Sequence, residues 1–194
     1  MLFRSPYSAT TGAQNTAVGA SALLANTSGT NNVAVGFNAL ATATTVSNNT
    51  GVGVSSLNKT TGGSNTATGF SSLYENTTGT DNTAIGVYSL RNSSTGTGNI
   101  AVGYAAGMYE TGSNAFYVDN QDRTNTAGDK AKAILYGVMA AAAANQKLTV
   151  NGLFKLGVIP PAYANNAAAL VGGLLAGDIY VVTASDPRQL AIVF

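Results

Sequence analysis

A nine-residue phrase recurs six times between residues 15 and 107 of the chain. It first reads NTAVGASAL and returns in nearly the same form, starting at Asn15, Asn32, Asn49, Asn65, Asn82 and Asn99. The glycine of the phrase recurs at intervals of 17, 17, 16, 17 and 17 residues, at Gly19, Gly36, Gly53, Gly69, Gly86 and Gly103. A fixed period of this kind is typical of repeat architectures, in which stacked units share one core.

The length of the repeat predicts an all-β chain folded as a parallel β-solenoid. Seventeen residues are too few for a helix pair and fewer than a leucine-rich repeat needs, but they fit one coil of two short strands and two bends. Within the phrase, Thr83, Ile85 and Val87 alternate with Ala84 and Gly86, which is the period of a strand. A degenerate seventh copy, SNAFYVDN from residue 113, is expected to end the stack. Six coils about 4.8 Å apart would be roughly 30 Å long.

Both faces of the predicted strand are free of charge. One carries Val, Ile, Thr, Phe or Tyr, and the other carries almost only Ala and Gly. A face in contact with water normally shows Lys, Glu or Gln. We therefore expect both faces to be covered, one by the coil itself and the other by a second copy of the chain. The phrase asparagines are expected to form a ladder that bonds the bends and neighbouring asparagines.

The composition removes several classes of function. The net charge is +1, 9% of the residues are charged, and the chain has neither Cys nor His. No strongly basic face for nucleic acid is possible, nor a thiolate metal site or a histidine base. The N-terminus has no apolar signal sequence, and the apolar runs at 133–144 and 167–177 are shorter than the roughly 20 residues of a membrane span. We expect no membrane insertion.

Three acidic residues, Asp119, Asp122 and Asp129, lie close together in DNQDRTNTAGD. A calcium loop needs oxygen ligands at alternate positions and a Glu at the twelfth. Alternate positions here bring Gln121 and Arg123, and no Glu follows. The segment therefore does not predict a metal site.

Two further patterns are weak candidates for chemistry. The stretch GTGNIAVG from Gly96 lacks the GK[ST] ending of a phosphate-binding loop. Glu75 and Asp81, on adjoining loops, are a possible carboxylate pair for glycan hydrolysis, but no cleft is indicated. We predict no catalytic, cofactor-binding or metal-binding residues, no cofactor and no enzyme activity.

Surface aromatic residues leave two alternatives open. Tyr74, Tyr88 and Tyr109 lie outside the strand core and would either stack on sugars or wedge between neighbouring subunits. The N-x-[ST] sequons are expected to be coincidental in a chain so rich in Thr and Asn; they start at Asn26, Asn48, Asn58, Asn76 and Asn92.

Charge divides the chain into regions. Residues 12–118 hold five charged side chains and residues 119–194 hold eleven. We predict an N-terminal segment (1–11), a repeat domain (12–118), a β-rich connecting region (119–159) and a C-terminal module (160–194). Strands are predicted at 133–139, in KLTVNG and in LFKLGV, a helix at 163–176, and a hairpin from 178–183 and 189–194. Residues 140–144 are left open between strand and helix. The helix would either meet its copies at a threefold axis or cover its own hairpin.

Residues 12–118, with TGxxN before NTAVGxxAL, resemble the head repeats of trimeric autotransporter adhesins and, still more, repeats of bacteriophage tail and head fibres. The resemblance implies a left-handed β-roll of three chains around a threefold axis. The segment from Phe116 and the last 30 residues are similar to segments of phage structural proteins.

Because the chain shows neither a heptad stalk nor an anchor barrel, we expect a virion protein and not an adhesin. The resemblance implies a homotrimeric phage tail or head fibre on the particle surface. Its expected partners are other virion proteins and a host-surface glycan or protein. A capsid decoration or fibre adaptor without receptor binding, and a bacterial trimeric adhesin head, are the alternatives.

Overall fold

The computed structural model describes residues 11–139, 141–142, 145–151, 179–181 and 190–192. The chain divides into two units, Met1–Leu153 and Phe154–Phe194. Most of the described residues belong to the first unit, which is built on a nine-stranded sheet.

Seven short parallel strands, one from each coil, form the stacked part of this sheet. They are β1 (Thr16–Val18), β2 (Val33–Val35), β3 (Thr50–Val52), β4 (Thr66–Thr68), β5 (Thr83–Ile85), β6 (Ile100–Val102) and β7 (Ala115–Val118). Each strand pairs with the next in the register of the repeat, so that Thr16 lies beside Val33. The predicted parallel solenoid is confirmed, and the degenerate seventh copy supplies its last parallel strand.

The core of the solenoid consists of two buried ladders. The middle residue of each interior strand is completely buried and is always Ala or Gly, as at Ala34, Gly51 and Ala84. The leucine that closes each phrase packs against this row from the other side of the coil. These leucines are 0–1% exposed: Leu23, Leu40, Leu57, Leu73 and Leu90. Each buried leucine contributes about 2 kcal/mol. A Cβ on Gly51 would lie 3.4 Å from Leu40 Cδ1, so the facing residue has to be small.

The second leg of each coil is not a strand, and the prediction of two strands per coil was wrong. Its leucines have φ of +47 to +51°, and the residues two positions earlier have φ of +51 to +61°. Left-handed residues at alternate positions bend the chain and prevent an extended strand. The backbone of this leg still pairs between coils, since Leu23 N–H donates to Ala39 O at 3.0 Å and Leu40 N–H to Ser56 O at 3.0 Å.

The phrase glycine is required by the turn that follows each strand. Its φ lies between +115 and +135° in all six copies. At Gly53 a Cβ would come within 2.4 Å of Gly69 O in the next coil. Only glycine adopts this conformation without strain and lets the two backbones approach so closely.

The asparagine that opens each phrase forms the predicted ladder. Asn32, Asn49, Asn65 and Asn99 are completely buried. The Oδ1 of each accepts the backbone N–H of the equivalent residue in the next coil, as Asn32 Oδ1 does from Asn49 at 3.0 Å. Its Nδ2 donates to a bend carbonyl, as Asn32 does to Val46 O at 2.8 Å. The ladder therefore satisfies backbone groups that the bends leave inside the protein.

After β7 the chain folds back on the end of the stack. A short helix, α1 (Thr126–Lys132), precedes β8 (Leu135–Val138) and β9 (Lys147–Val150), and β7–β8–β9 pair antiparallel. The strands predicted at 133–139 and in KLTVNG are confirmed. The helix was not predicted; Asn125 caps it, its Oδ1 accepting Gly128 N–H at 2.8 Å.

In the second unit, β10 (Ile179–Val181) and β11 (Leu190–Ile192) pair antiparallel, as predicted for the terminal hairpin. The strand predicted in LFKLGV and the helix predicted at 163–176 lie outside the described residues, and of 140–144 only 141 and 142 are described.

Candidate functional site

The largest functional candidate is an exposed apolar surface, which we call the outer face. It is formed by the first and third residues of β1 to β6, by the second and fourth residues of β7, and by the register partners of these last two in β8 and β9. The members are Thr16, Val18, Val33, Val35, Thr50, Val52, Thr66, Thr68, Thr83, Ile85, Ile100, Val102, Phe116, Val118, Leu135, Gly137, Leu148 and Val150. None of these residues is charged.

The outer face is open to solvent in the single chain. Val18 is 53% exposed, Ile85 44%, Val102 38% and Leu148 63%. With strands about 4.8 Å apart, nine of them extend about 40 Å, and three residues of strand span about 10 Å. The face therefore measures on the order of 400 Å² in plan, which lies in the range of the largest patch on a typical soluble monomer, and such patches are often functional.

An apolar edge row borders the outer face. It contains the residue after the phrase glycine in five coils, at 39–52% exposure: Phe37, Val54, Phe70, Val87 and Tyr104. Val87 was predicted to share the face of Thr83 and Ile85. The chain turns at Gly86, φ +133°, so Val87 continues the exposed apolar surface from beyond the end of the strand.

Two of the three candidate tyrosines lie together. Tyr74 lies between Lys59 and Arg91, whose Nζ and Cζ atoms are 5.2 and 5.4 Å from its ring centroid. The same Arg91 Cζ is 5.6 Å from the Tyr88 ring. Tyr109 is not part of this group: its backbone N–H donates to Asp129 Oδ2 at 2.9 Å, and its backbone carbonyl accepts from Thr126 of α1.

The acidic residues singled out in the sequence do not converge. Glu75 forms an ion pair with Lys59 at 2.8 Å, and Asp81 accepts from Thr80 Oγ1 at 2.8 Å. Asp119 binds both Nε and Nη2 of Arg123, at 2.6 and 2.7 Å, and Asp122 Oδ1 accepts Thr124 N–H at 2.8 Å.

The described residues contain no group of three His, Cys, Asp or Glu side chains placed to hold a metal ion. The carboxylates of DNQDRTNTAGD instead cap local backbone and pair with one arginine.

A buried carboxylate in the last coil, Glu110, connects that coil to β7 and α1. Glu110 is 1% exposed and accepts hydrogen bonds from the Tyr117 hydroxyl and, at 2.7 Å, from Gly112 N–H. Lys130 of α1 lies 3.2 Å from Glu110 Oε2. Burial opposes ionisation, but these partners together hold the pKa of Glu110 below its usual value. Burial and the Glu110 carboxylate raise the pKa of Tyr117 far above its usual range.

The second buried carboxylate, Asp129, is 1% exposed and has one oxygen, Oδ1, without a hydrogen-bond partner. Burial raises the pKa of Asp129 to about 6. The hydrogen bond from Tyr109 N–H opposes the rise, and the nearby charges of Glu110, Asp119 and Asp122 add to it. Sequence patterns did not distinguish these two carboxylates, although Glu110 lies three residues after Gly107, which takes the leucine position of the sixth coil.

Two of the five sequons cannot be glycosylated in the folded chain. Asn26 is 2% exposed and Asn76 is fully buried. Asn76 Nδ2 donates to Gly79 O at 3.0 Å, which fixes the bend of its coil. These asparagines are structural.

Within the part of the chain that the structure describes, no helix has the length and apolar character to span a membrane. Comparison with models of protein families, with curated proteins and with solved structures finds no match for this chain.

Proposed function

We propose that the protein is a homotrimeric, fibrous component of a virion, a phage tail or head fibre that attaches the particle to a host cell surface. The observation that carries the proposal is the outer face, an uncharged surface about 40 Å long that the folded chain leaves uncovered. The resemblance of residues 12–118 to fibre repeats supplies the arrangement: left-handed rolls of three chains around one axis.

Burial of the outer face would make assembly favourable. Transfer of apolar area from water contributes about 25 cal/mol per Å². A face on the order of 400 Å² on each chain would therefore supply at most about 10 kcal/mol per subunit before the costs of association, and less in proportion to its threonine hydroxyls. The face has no charged residue to desolvate, so this gain is not offset by buried ions.

The other side of each coil fits a role in attachment. The bends expose hydroxyl and amide side chains in every coil, among them Thr27, Thr44, Thr61, Thr77 and Thr95. Repeated on three chains, such loops would offer many weak contacts at once, and simultaneous contacts multiply affinity. The mechanism would be mechanical and adhesive.

Light scattering on the purified full chain tests the assembly. We expect a mass of three times the chain's 19.4 kDa, independent of dilution in the micromolar range. A mass of 19.4 kDa would overturn the proposal. Immunogold labelling of virus particles from the same source, with a binding assay on host cells, then separates a receptor-binding fibre from a decoration protein.

A further inference from the structure

The geometry points to a glycan-binding site on one side of coils three to five, and we propose that it takes a carboxylate-bearing sugar polymer. The site, which we call the arginine–tyrosine patch, consists of Lys59, Tyr74, Glu75, Tyr88 and Arg91. The proposal deepens the proposed attachment function, on which it rests, by naming the surface that recognises the receptor and the class of receptor.

The patch holds its side chains in fixed positions. Lys59, Tyr74 and Arg91 come from three successive coils, so that one cation lies a coil before the Tyr74 ring and the other a coil after it. The Tyr88 ring is held edge-on by Phe70 and Tyr104, at centroid distances of 5.4 and 6.1 Å. Side chains that neighbouring groups already hold lose less entropy when they bind a ligand.

Arg91 lacks a charged partner among the described residues. The one hydrogen bond shown for its guanidinium runs from Nη1 to Asn92 Oδ1, at 3.2 Å. Its Nε is buried and has no acceptor. The one carboxylate of the patch, that of Glu75, accepts both hydrogen bonds from Lys59 Nζ, at 2.8 and 2.9 Å. Of the five N–H donors of the Arg91 guanidinium, one on Nη1 and two on Nη2 are neither bonded to Asn92 nor on the buried Nε, and two such donors bind a carboxylate.

The patch is a departure from the repeat. Tyr88 has φ +61° at a position where the other coils carry Ser21, Asn38, Ser55, Ser71 and Ala105. The left-handed backbone is common to every coil at this position, so the departure in coil five is the aromatic side chain. The position of Arg91 is occupied by Ala41 and Asn58 in coils two and three. Three of the five charged residues in 12–118 belong to the patch. The tyrosine and the arginine are not needed for the stability of the solenoid, because the coils that lack them have the same backbone structure.

The chemistry of the patch selects the ligand. Tyrosine rings and hydroxyls contact the C–H groups and hydroxyls of sugars, and a guanidinium that has no carboxylate partner within the chain's described residues can bind one on a ligand. The patch has a net charge of +1, since Glu75 offsets Lys59. It therefore suits a polymer with one carboxylate at intervals, such as a uronate or sialate chain, better than a densely charged polyanion.

Affinity electrophoresis of the full chain, in gels that contain one polymer at a time, tests the site. The probes are polygalacturonate, alginate, hyaluronate and polysialate, with neutral dextran and polyglutamate as controls. We expect retardation by at least one of the four acidic polysaccharides and none by dextran or polyglutamate.

The repeat supplies variants that fit the fold. Tyr88→Ser copies Ser55 and Ser71, and Arg91→Asn copies Asn58. We expect Arg91→Asn to weaken binding about tenfold and Tyr88→Ser about fivefold. Phe37→Val, which copies Val54, removes an aromatic ring outside the patch, and Lys132→Gln removes an exposed positive charge elsewhere; both should bind as the parent does.

Three results would overturn the site: no retardation by any of the four polysaccharides, equal retardation by polyglutamate, or a change in the assembled mass on Tyr88→Ser, which would make the patch a contact between subunits. The mass of the parent protein is a separate outcome. A trimer that binds no polysaccharide leaves the fibre proposal standing, and a monomer that binds one leaves the patch standing without the fibre.

Discussion

The Oδ1 atom of Asn65 accepts a hydrogen bond from the backbone N–H of Asn82, 17 residues further along, at 3.0 Å. The Nδ2 atom of the same side chain donates to Gly79 O at 2.9 Å. One buried amide thus forms hydrogen bonds with a backbone N–H at the start of the next strand and with a backbone carbonyl in the bend before that strand. Because every coil repeats the arrangement, the amide fixes the register of coil on coil.

Replacing Asn65 with Ala should therefore cost about 1–3 kcal/mol of the free energy of unfolding. The substitution leaves the buried Asn82 N–H without an acceptor, whereas Gly79 O keeps its second hydrogen bond, from Asn76 Nδ2 at 3.0 Å. Urea unfolding followed by circular dichroism, at one fixed protein concentration, measures the loss.

Asn15→Ala is the matched control. Asn15 makes the same two bonds, to Asn32 N–H at 2.9 Å and to Gly29 O at 2.7 Å, but it is only half-buried, directly before the first strand. Water replaces its bonds at little cost, so we expect a loss below about 1 kcal/mol. Equal losses at the two positions would contradict the role assigned to the buried ladder.

Gly53→Ala should destabilise the solenoid by about 3 kcal/mol or more. The substitution forces a side chain into a φ of +134° and brings its Cβ within 2.4 Å of a backbone carbonyl. Gly63→Ala is the comparison, because φ there is not left-handed and the nearest atom is 3.0 Å away. Thermal unfolding of both variants tests this; a smaller effect at Gly53 than at Gly63 would count against it.

The parallel strands could be predicted from the sequence because the repeat is marked by residues that each have a single structural role. Gly53 must be glycine, Asn65 must bond the next coil, and Leu57 must be buried. A period of 17 or 16 residues then sets the register directly. The structure at such positions can be predicted from the sequence pattern alone, without information on tertiary contacts.

The second leg of the coil was mispredicted because propensity is misleading there. Leucine disfavours the left-handed region, yet Leu40 has φ +51°. Burial of its side chain in the core offsets the strain, and no local pattern shows this. Helix α1 was missed for a related reason: its seven residues hold no apolar periodicity, and it is held by Asp129 and Lys130 contacts to the last coil.

Val35→Asp should block assembly while leaving the coil folded. Val35 belongs to the outer face and is half-exposed in the single chain, so a carboxylate there remains in water until subunits meet. Its burial in an apolar interface would cost several kcal/mol. We expect a monomeric mass by light scattering with an unchanged β spectrum.

Two substitutions in the same coil are the controls for Val35→Asp. Thr44→Asp, on an exposed bend, should assemble as the parent does. Ala34→Asp places the charge in the fully buried core, next to Val35 in sequence but on the opposite side of the strand, and should unfold the coil. Trimers formed by Val35→Asp would show that the outer face is not the contact between subunits.

The Asp129 carboxyl should make stability depend on pH between about 4 and 6. Its pKa is 3.8 when unfolded and about 6 when folded, so the folded chain holds the proton more tightly. Stability from this group is therefore fully present below about pH 4 and is lost as pH rises through 6. Glu110 acts in the opposite direction: its pKa is lowered by folding, so its contribution is present above 4.5 and is lost in more acid solution.

Asp129→Asn isolates the first effect. An asparagine keeps an acceptor for Tyr109 N–H but carries no charge to bury beside Glu110, Asp119 and Asp122. The variant should match the parent near pH 4 and exceed its free energy of unfolding by about 1–3 kcal/mol at pH 7–8, since each pKa unit corresponds to 1.36 kcal/mol. Urea unfolding at half-unit steps from pH 4 to 8 gives the comparison. Asp81→Asn, an exposed carboxylate in another coil, should follow the parent curve throughout. If the free energies of unfolding of Asp129→Asn and the parent differ by a constant amount from pH 4 to 8, Asp129 does not change its protonation on folding in this range. The raised pKa assigned to the buried carboxyl would then be wrong.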